Sequence, residues 1–309
     1  MLHELPFERR TLHGHFSRDL EPVLSVDPGD SVAFSTADAG WGIGPPSDDR
    51  GTRQHFEPRD PKLDDGHALI GPIEMRGARA GGTLVVGVDE LRVGTWGVTD
   101  AGGWPTRLNQ GLGVGEGETH TLVWTLDADV GTAHDQFGRV VRLSPFLGVM
   151  GMPPPEPGVH STSPPRRWGG NMDCAELGVG ATLYLPIPID GAHFSAGDGH
   201  GRQGDGEVSG LAIEAAMERV RLTLSLSDIE LRNPIARIDG AWLTFGFDED
   251  LDEAAAQAVD GMLELMGREH GFERRDALAL ASVVVDLRVT QLVNGVCGVH
   301  AVLRDDALV

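Results

Sequence analysis

The chain is predicted to be mainly β, with a sandwich or barrel arrangement in its N-terminal region and an α+β C-terminal part. Three observations predict this. The 309 residues include 43 glycines and 19 prolines, a turn-rich composition that a helical bundle does not tolerate. Apolar and polar residues alternate in short runs through the first 150 residues, with no sustained 3.6-residue period. A single strong helix signature follows late in the chain, at 250–271.

Taken in order, "PVLSVDPGDSVAFST" (22–36) alternates around a Pro-Gly turn and reads as a hairpin. "IEMRGARAGGTLVVGVDELRV" (73–93) repeats the plan around a Gly-Gly turn. "THTLVWTLD" (119–127) and "GRVVRLSPFLGVMGM" (138–152) add strands, and "PPPEPGVHSTSPPRR" (153–167) reads as a surface loop or spacer. "ATLYLPIPI" (181–189), "VRLTLSLSD" (220–228) and "AWLTFGF" (241–247) are further strands. In the helix, Asp250 is the expected N-cap with Glu253 completing a capping box, and Gly271 is the expected stop. Its predicted inner stripe is Leu251, Ala255, Val259, Met262 and Met266. A second helix is expected after Asp276, then a strand over 286–293, an Asn294-Gly295 turn and a final strand over 296–303. The change of character places a boundary between residues 1–218, carrying the site, and 219–309.

Charge and cysteine content narrow the partners. A formal net charge of −22 repels phosphate backbones and anionic lipid, so neither nucleic acid nor membrane is an expected partner. The start of the chain lacks an apolar signal core and no 18-residue apolar run occurs, so a cytoplasmic location is expected. Two distant cysteines, Cys174 and Cys297, make neither a disulfide framework nor a cysteine-based zinc site.

The chemistry concentrates in "RWGGNMDCAELGVGATLYLPIPIDGAHFSAGDGHGRQGDGEVSGLAIEAAM" (167–217). Here the strand 181–189 lies between two glycine-rich polar segments. The first carries Asn171 and Asp173, and the second Asp198, His200, Gln203, Asp205 and Glu207. Carboxylates brought together in a partly buried site raise one another's pKa unless a cation compensates. Imidazole with carboxylate ligation suits zinc best, calcium being the all-oxygen alternative. An exposed turn, with glycines for flexibility and acids for solubility, is the bland reading. Cys174 reads as a buried thiol rather than a nucleophile, Ser195 lacks the G-x-S-x-G pattern, and His67 reads as a hydrogen-bonded histidine more readily than as a ligand.

"GGNMD" (169–173), "LYLPI" (183–187) and "FSAGDGHGRQGDGEVSGLAIE" (194–214) together resemble the acetamidase/formamidase family. Weaker pieces at 22–34, 71–88, 144–151 and 286–299 extend the likeness over nearly the whole chain. The resemblance implies a sandwich-plus-barrel N-terminal part, a homo-oligomer, and hydrolysis of a small amide to carboxylate and ammonia, with a metal at the site. On that basis Asp173, Asp198 and His200 are the candidate metal ligands, with metal-activated water as the expected nucleophile. Glu207 or Asp205 is the general base, and Asn171 and Gln203 bind the amide or the oxyanion. The sequence departs from the family pattern at Gly199, Gly201 and Arg202, and Arg202 would favour an anionic or larger amide. Two other classes compete. A cupin-like oxidoreductase would want an H-x-H element, whereas His193 and His200 are seven residues apart. A non-catalytic β-sandwich module would hold calcium in the acidic loop.

Overall fold

A computed structural model describes residues 1–308. Its strands form three sheets, none of them a closed barrel. The largest has nine strands in the order Leu2–Glu4, Asp30–Phe34, Met217–Ser227, Thr83–Val93, Thr182–Pro186, Ile235–Ile238, Ala241–Asp248, Cys297–Arg304 and Val285–Gln291. The second is the six-stranded sheet that carries the site. Gly169–Asn171, Phe146–Gly151, Phe194–His200, Leu69–Met75 and Leu12–His13 follow one another, and Leu24–Val26 also pairs with Leu69–Met75. The third has four strands, Val140–Arg142, Thr132–Asp135, His120–Asp127 and Trp96–Ala101. Val32, Leu84, Leu183 and Leu222 of the nine-stranded sheet share one apolar core with Ile70, Ile73, Leu147 and Phe194 of the six-stranded sheet. The two sheets therefore make the sandwich.

Two predicted hairpins are something else. Leu24–Val26 joins the six-stranded sheet in parallel with Leu69–Met75, while Asp30–Phe34 joins the nine-stranded sheet. Leu69–Met75 and Thr83–Val93 divide in the same way. Each glycine-bearing turn is thus a corner that carries the chain from one layer to the other. Alternation reports that a strand has one buried face, and a strand in either layer satisfies it.

The long helix runs Leu251–His270, with the Asp250 side chain accepting from the Asp252 N–H and Gly271 at φ 71° ending it. Its buried face is Ala254, Ala258, Met262, Leu263, Leu265 and Met266, so Leu251, Ala255 and Val259 of the predicted stripe lie off it. Small alanines let the helix lie close on the sheet, and the longer residues of its second half fill the remaining space. The second helix, Arg274–Val284, begins before Asp276 rather than after it. It leads directly into the strand Val285–Gln291, which turns at Asn294-Gly295 into Cys297–Arg304. The boundary expected at 218/219 falls inside the strand Met217–Ser227, and one sheet takes strands from both sides of it. No helix among the described residues is long and apolar enough to cross a membrane.

Candidate active site

The first part of the glycine-rich acidic segment is a buried strand, and the bland reading of an exposed turn does not hold there. All seven residues of Phe194–His200 are buried between Phe146–Gly151 and Leu69–Met75. A Cβ on Gly197 would stand 2.4 Å from the Ala68 carbonyl oxygen, and one on Gly199 would stand 2.4 Å from that of Ala215. The glycines here serve close packing rather than mobility. Across the sheet, Gly148 opens the space the site occupies. A Cβ there would lie 2.3 Å from Asp198 Oδ2, 2.6 Å from Asp173 Oδ1 and 2.9 Å from His200 Cε1.

Three elements bring acids to that space. Asp198 and His200 come from the strand Phe194–His200, Asp173 from just beyond the strand Gly169–Asn171, and Glu207 from the loop after His200. Asp173, Asp198 and Glu207 all have left-handed backbone, with φ of 50°, 59° and 46°. Such conformations cost about 1–3 kcal/mol each in a non-glycine residue and persist where the surroundings impose them. Glu214 completes the cluster. Asp173, His200 and Glu207 present ligand atoms within 4.8 Å of one another, as do Asp198, His200 and Glu214, so His200 belongs to both groups. His200 Nε2 lies 3.2 Å from Asp198 Oδ1 and 3.4 Å from Glu214 Oε2. The Phe146 ring meets the imidazole edge to face at 4.8 Å.

The surrounding hydrogen bonds hold this geometry. The Asn294 amide donates to Asp173 Oδ2 at 2.6 Å, and the Gln203 amide donates to the Asp173 carbonyl at 2.7 Å. The Ala212 N–H donates to Glu214 Oε1 at 2.8 Å. What remains unsatisfied is informative. Asn171 Oδ1, Asp173 Oδ1, His200 Nδ1, Gln203 Oε1, Glu207 Oε2 and Glu214 Oε2 are all buried without a hydrogen-bond partner. Buried polar atoms are rarely left so, and four of these belong to the cluster itself, on Asp173, His200, Glu207 and Glu214, which points to a bound group.

The electrostatics agree. Burial pushes the Asp173 carboxyl up to about 8, assisted by the charge of Asp198. Burial and then Asp173 push Glu207 well above the carboxylate range, and burial raises Glu214. Burial also works against ionised Asp198, but His200 and His67 override it and hold that carboxyl at about 2. Burial disfavours a charged His200, yet Glu214 and Asp198 raise its pKa well above the usual imidazole value. A pocket of acids that retain protons is an anionic site lacking its counter-charge. The unpartnered oxygens, the imidazole and the hole at Gly148 all fit a divalent metal.

Not every residue singled out from the sequence arrives here. Asp205 is exposed and turns away, 3.8 Å from Arg288. Arg202 is exposed as well, and its guanidinium donates to the Arg142 carbonyl at 3.0 Å, so it is not a cation of this cluster. His67 is a neighbour of the cluster, close enough to lower the Asp198 carboxyl, and its Nδ1 is held by the Thr162 hydroxyl at 2.7 Å. Sequence reasoning missed Glu214 and Asn294. Glu214 stands within the motif-rich stretch, seven residues past Glu207, and could have been suspected there. Asn294 was accounted for by its turn.

Comparison with known proteins bears on what such a cluster is for. The family model for the acetamidase/formamidase family matches residues 3–161 and 156–303. The chain belongs to the acetamidase/formamidase family. It is similar to the crystal structure of an acetamidase from Bacillus halodurans, with a TM-score of 0.83 and 27% identity over 97% of each chain. A predicted acetamidase/formamidase from Thermoanaerobacter tengcongensis superposes with a TM-score of 0.84 and 27% identity, over 99% of this chain and 96% of that one. A putative formamidase of Schizosaccharomyces pombe is 39% identical over 72 residues, which are 22% of this chain but only 18% of the relative's own length. The mostly β architecture with C-terminal helices is therefore that of the family's solved structures.

Proposed function

We propose that this protein hydrolyses a small linear amide, of the formamide or acetamide kind, to a carboxylate and ammonia. Family membership supports a hydrolase acting on carbon–nitrogen bonds. The observation that carries the reading is the set of unpartnered buried atoms on Asp173, His200, Glu207 and Glu214, in a cluster whose Asp173, Asp198 and His200 border the space left by Gly148. A divalent metal, zinc by the donor set, would be held by Asp173, Asp198, His200 and Glu214 and would supply Lewis-acid activation of the amide carbonyl and of water.

The remaining work falls to the chain. Gln203 spends its amide N–H on the Asp173 carbonyl and presents a free carbonyl oxygen, an acceptor suited to the N–H groups of the amide, and the Asn171 side chain is unpaired and can serve the amide group as well. The sequence left the amide or the oxyanion open for these two, and the free acceptor of Gln203 favours the amide nitrogen. Glu207 is the proton carrier. Its free Oε2 and raised pKa suit a carboxylate that takes a proton from the attacking water and returns it to the departing nitrogen. Asp205, exposed and turned toward Arg288, is not assigned this role. Asn294 and Gln203 fix Asp173 from two sides. Enclosure of the cluster favours a short acyl group. We further propose a homo-oligomer, supported by Leu287, exposed at 51% on the edge strand of the nine-stranded sheet, and by Val283, exposed at 82% at the end of the helix that leads into that strand. Light scattering would show a monomer if this is wrong.

The direct test is ammonia release from formamide, acetamide, longer amides and lactams, before and after exhaustive chelation and with zinc restored. Turnover of the short amides that disappears on chelation and returns with zinc is expected. Turnover that survives metal removal overturns the metal assignment, and silence across the whole panel overturns the hydrolase reading.

A further inference from the structure

Asp173 has a neighbour that faces a different polar cluster. Cys174 is fully buried and its Sγ lies 3.4 Å from Glu176 Oε2. The other oxygen of that carboxylate lies 3.5 Å from His300 Nε2. The three donors fall within 4.8 Å of one another. His300 is wholly buried, and its Nε2 has no hydrogen-bond partner although it is aimed at the carboxylate. The other ring nitrogen, Nδ1, is 2.8 Å from the Thr290 hydroxyl.

We propose that Cys174, Glu176 and His300 form a second zinc site, separate from the acid cluster around His200. The donor set is thiolate, carboxylate and imidazole, the mixture zinc takes most readily. The spacing fits. Tetrahedral zinc with ordinary bond lengths places S and O donors, or O and N donors, about 3.4–3.6 Å apart. The thiol stands 3.4 Å from Oε2 and the imidazole 3.5 Å from Oε1, so each meets the carboxylate at such a separation, through a different oxygen. The outer contacts fit too. A hydrogen bond from Nδ1 to Thr290 leaves the Nε2 lone pair free for a metal, as is usual for a ligating histidine. Arg288, directly opposite His300 across the strand pair, donates to Glu176 Oε1 at 2.6 Å and orients the carboxylate. Asp205, 3.8 Å from Arg288, supplies a further negative charge, so zinc and Arg288 are balanced by a Cys174 thiolate, Glu176 and Asp205. On binding, the Cys174 thiol releases its proton to solvent. The three protein donors leave a fourth position for water. The site would tie the segment after Asp173 to the last two strands, and so hold one wall of the catalytic cluster.

The test uses the full chain, stripped of metal and reloaded with cobalt(II) alone. The wild type should show the intense near-ultraviolet absorption of thiolate bound to cobalt, and His200→Asn should retain it. Cys174→Ser should lose that absorption and bind about one zinc fewer per chain by elemental analysis. Glu176→Gln, which keeps the side-chain size, serves the same purpose if the serine variant does not fold. Absence of the absorption from natively folded wild type, or a zinc count unchanged by either variant, overturns the proposal. The readout is independent of catalysis. Zinc-dependent amide turnover without the thiolate signal rejects this site alone, and the signal without any turnover rejects only the proposed function.

Discussion

Buried carboxylates occur in two kinds of place in this molecule. In the N-terminal half, Asp38, Asp64 and Asp135 are each buried and each meets an arginine. Arg53 reaches Asp38 at 2.5 Å, Arg9 reaches Asp64 at 2.7 Å, and Arg139 pairs with Asp135. Backbone N–H groups of Gly42 and Asp60 add further hydrogen bonds to the first two. In the cluster around His200, Asp173, Asp198, Glu207 and Glu214 are as deeply buried, and no arginine or lysine pairs with them among the described residues. Burying a carboxylate is costly in either place. The fold supplies an arginine for each acid in one place and a single imidazole, His200, for four acids in the other, and the shortfall marks the second as a place for something positive.

The largest effects should come from removing the groups left uncompensated. His200→Asn takes away the only residue common to both ligand sets. It should lower the rate of ammonia release from acetamide by about 10³-fold or more and lower the bound metal by about one ion per chain. Glu207→Gln keeps size and burial but cannot carry a proton. It should lower kcat by about 10²–10⁴-fold, with bound metal retained by elemental analysis. Retained activity in Glu207→Gln would move the proton carrier elsewhere in the cluster.

The arginine-paired acids should respond in stability rather than activity. Arg53→Met leaves Asp38 buried without its partner, and loss of one member of a buried pair costs about 3–5 kcal/mol. Urea unfolding should show that loss, while kcat per folded molecule stays near the wild-type value. A small stability change would mean that the Gly42 N–H bond alone sustains Asp38 and that the contrast between the two regions is weaker.

The pH dependence separates the regions again. Burial holds the Asp173 carboxyl at about 8 and raises Glu207 and Glu214. A folded-state pKa above the unfolded value means that the native, metal-free protein binds more protons than the unfolded chain between about 4 and 8. Its stability should therefore fall as pH rises through that window. Adding zinc should flatten the dependence, because the metal then compensates the ionised carboxylates. Melting temperatures of chelated and zinc-loaded protein across that range check this. Parallel curves would show that the acids are compensated without metal.

Much of this contrast was legible in the sequence, though not its geometry. The packing of glycine and acid at 197–207 identified the region, and Asp173, Asp198, His200 and Glu207 do converge. The direction of each side chain was not legible. Asp205 and Glu207 are two residues apart and chemically alike, yet Gly206 at φ 95° and Glu207 at φ 46° bend the loop so that one faces Arg288 and the other the cluster. Glu214 reaches His200 because an isolated bridge brings the chain back beside the strand end, a long-range pairing that local pattern does not encode. The same limit applies to the two glycine-bearing turns. Their flanking strands were recognisable, but alternation is silent about which sheet a strand joins.

The smallest expected effect concerns Arg202. Next to His200 in sequence but for one glycine, it looks like the missing cation, and a guanidinium there would draw anionic amides. The structure turns it out to the Arg142 carbonyl instead, with its head group exposed. Arg202→Ala should therefore cost no more than about 0.5 kcal/mol in stability, as is usual for an exposed side chain. It should leave kcat/KM for acetamide, and the ratio between neutral and anionic short amides, within about twofold of wild type, a change near 0.4 kcal/mol. A selective loss for the anionic amide would show the side chain reaching the cluster during turnover. The separation between acids that carry their own arginine and acids that wait for a metal would then hold only in the resting protein.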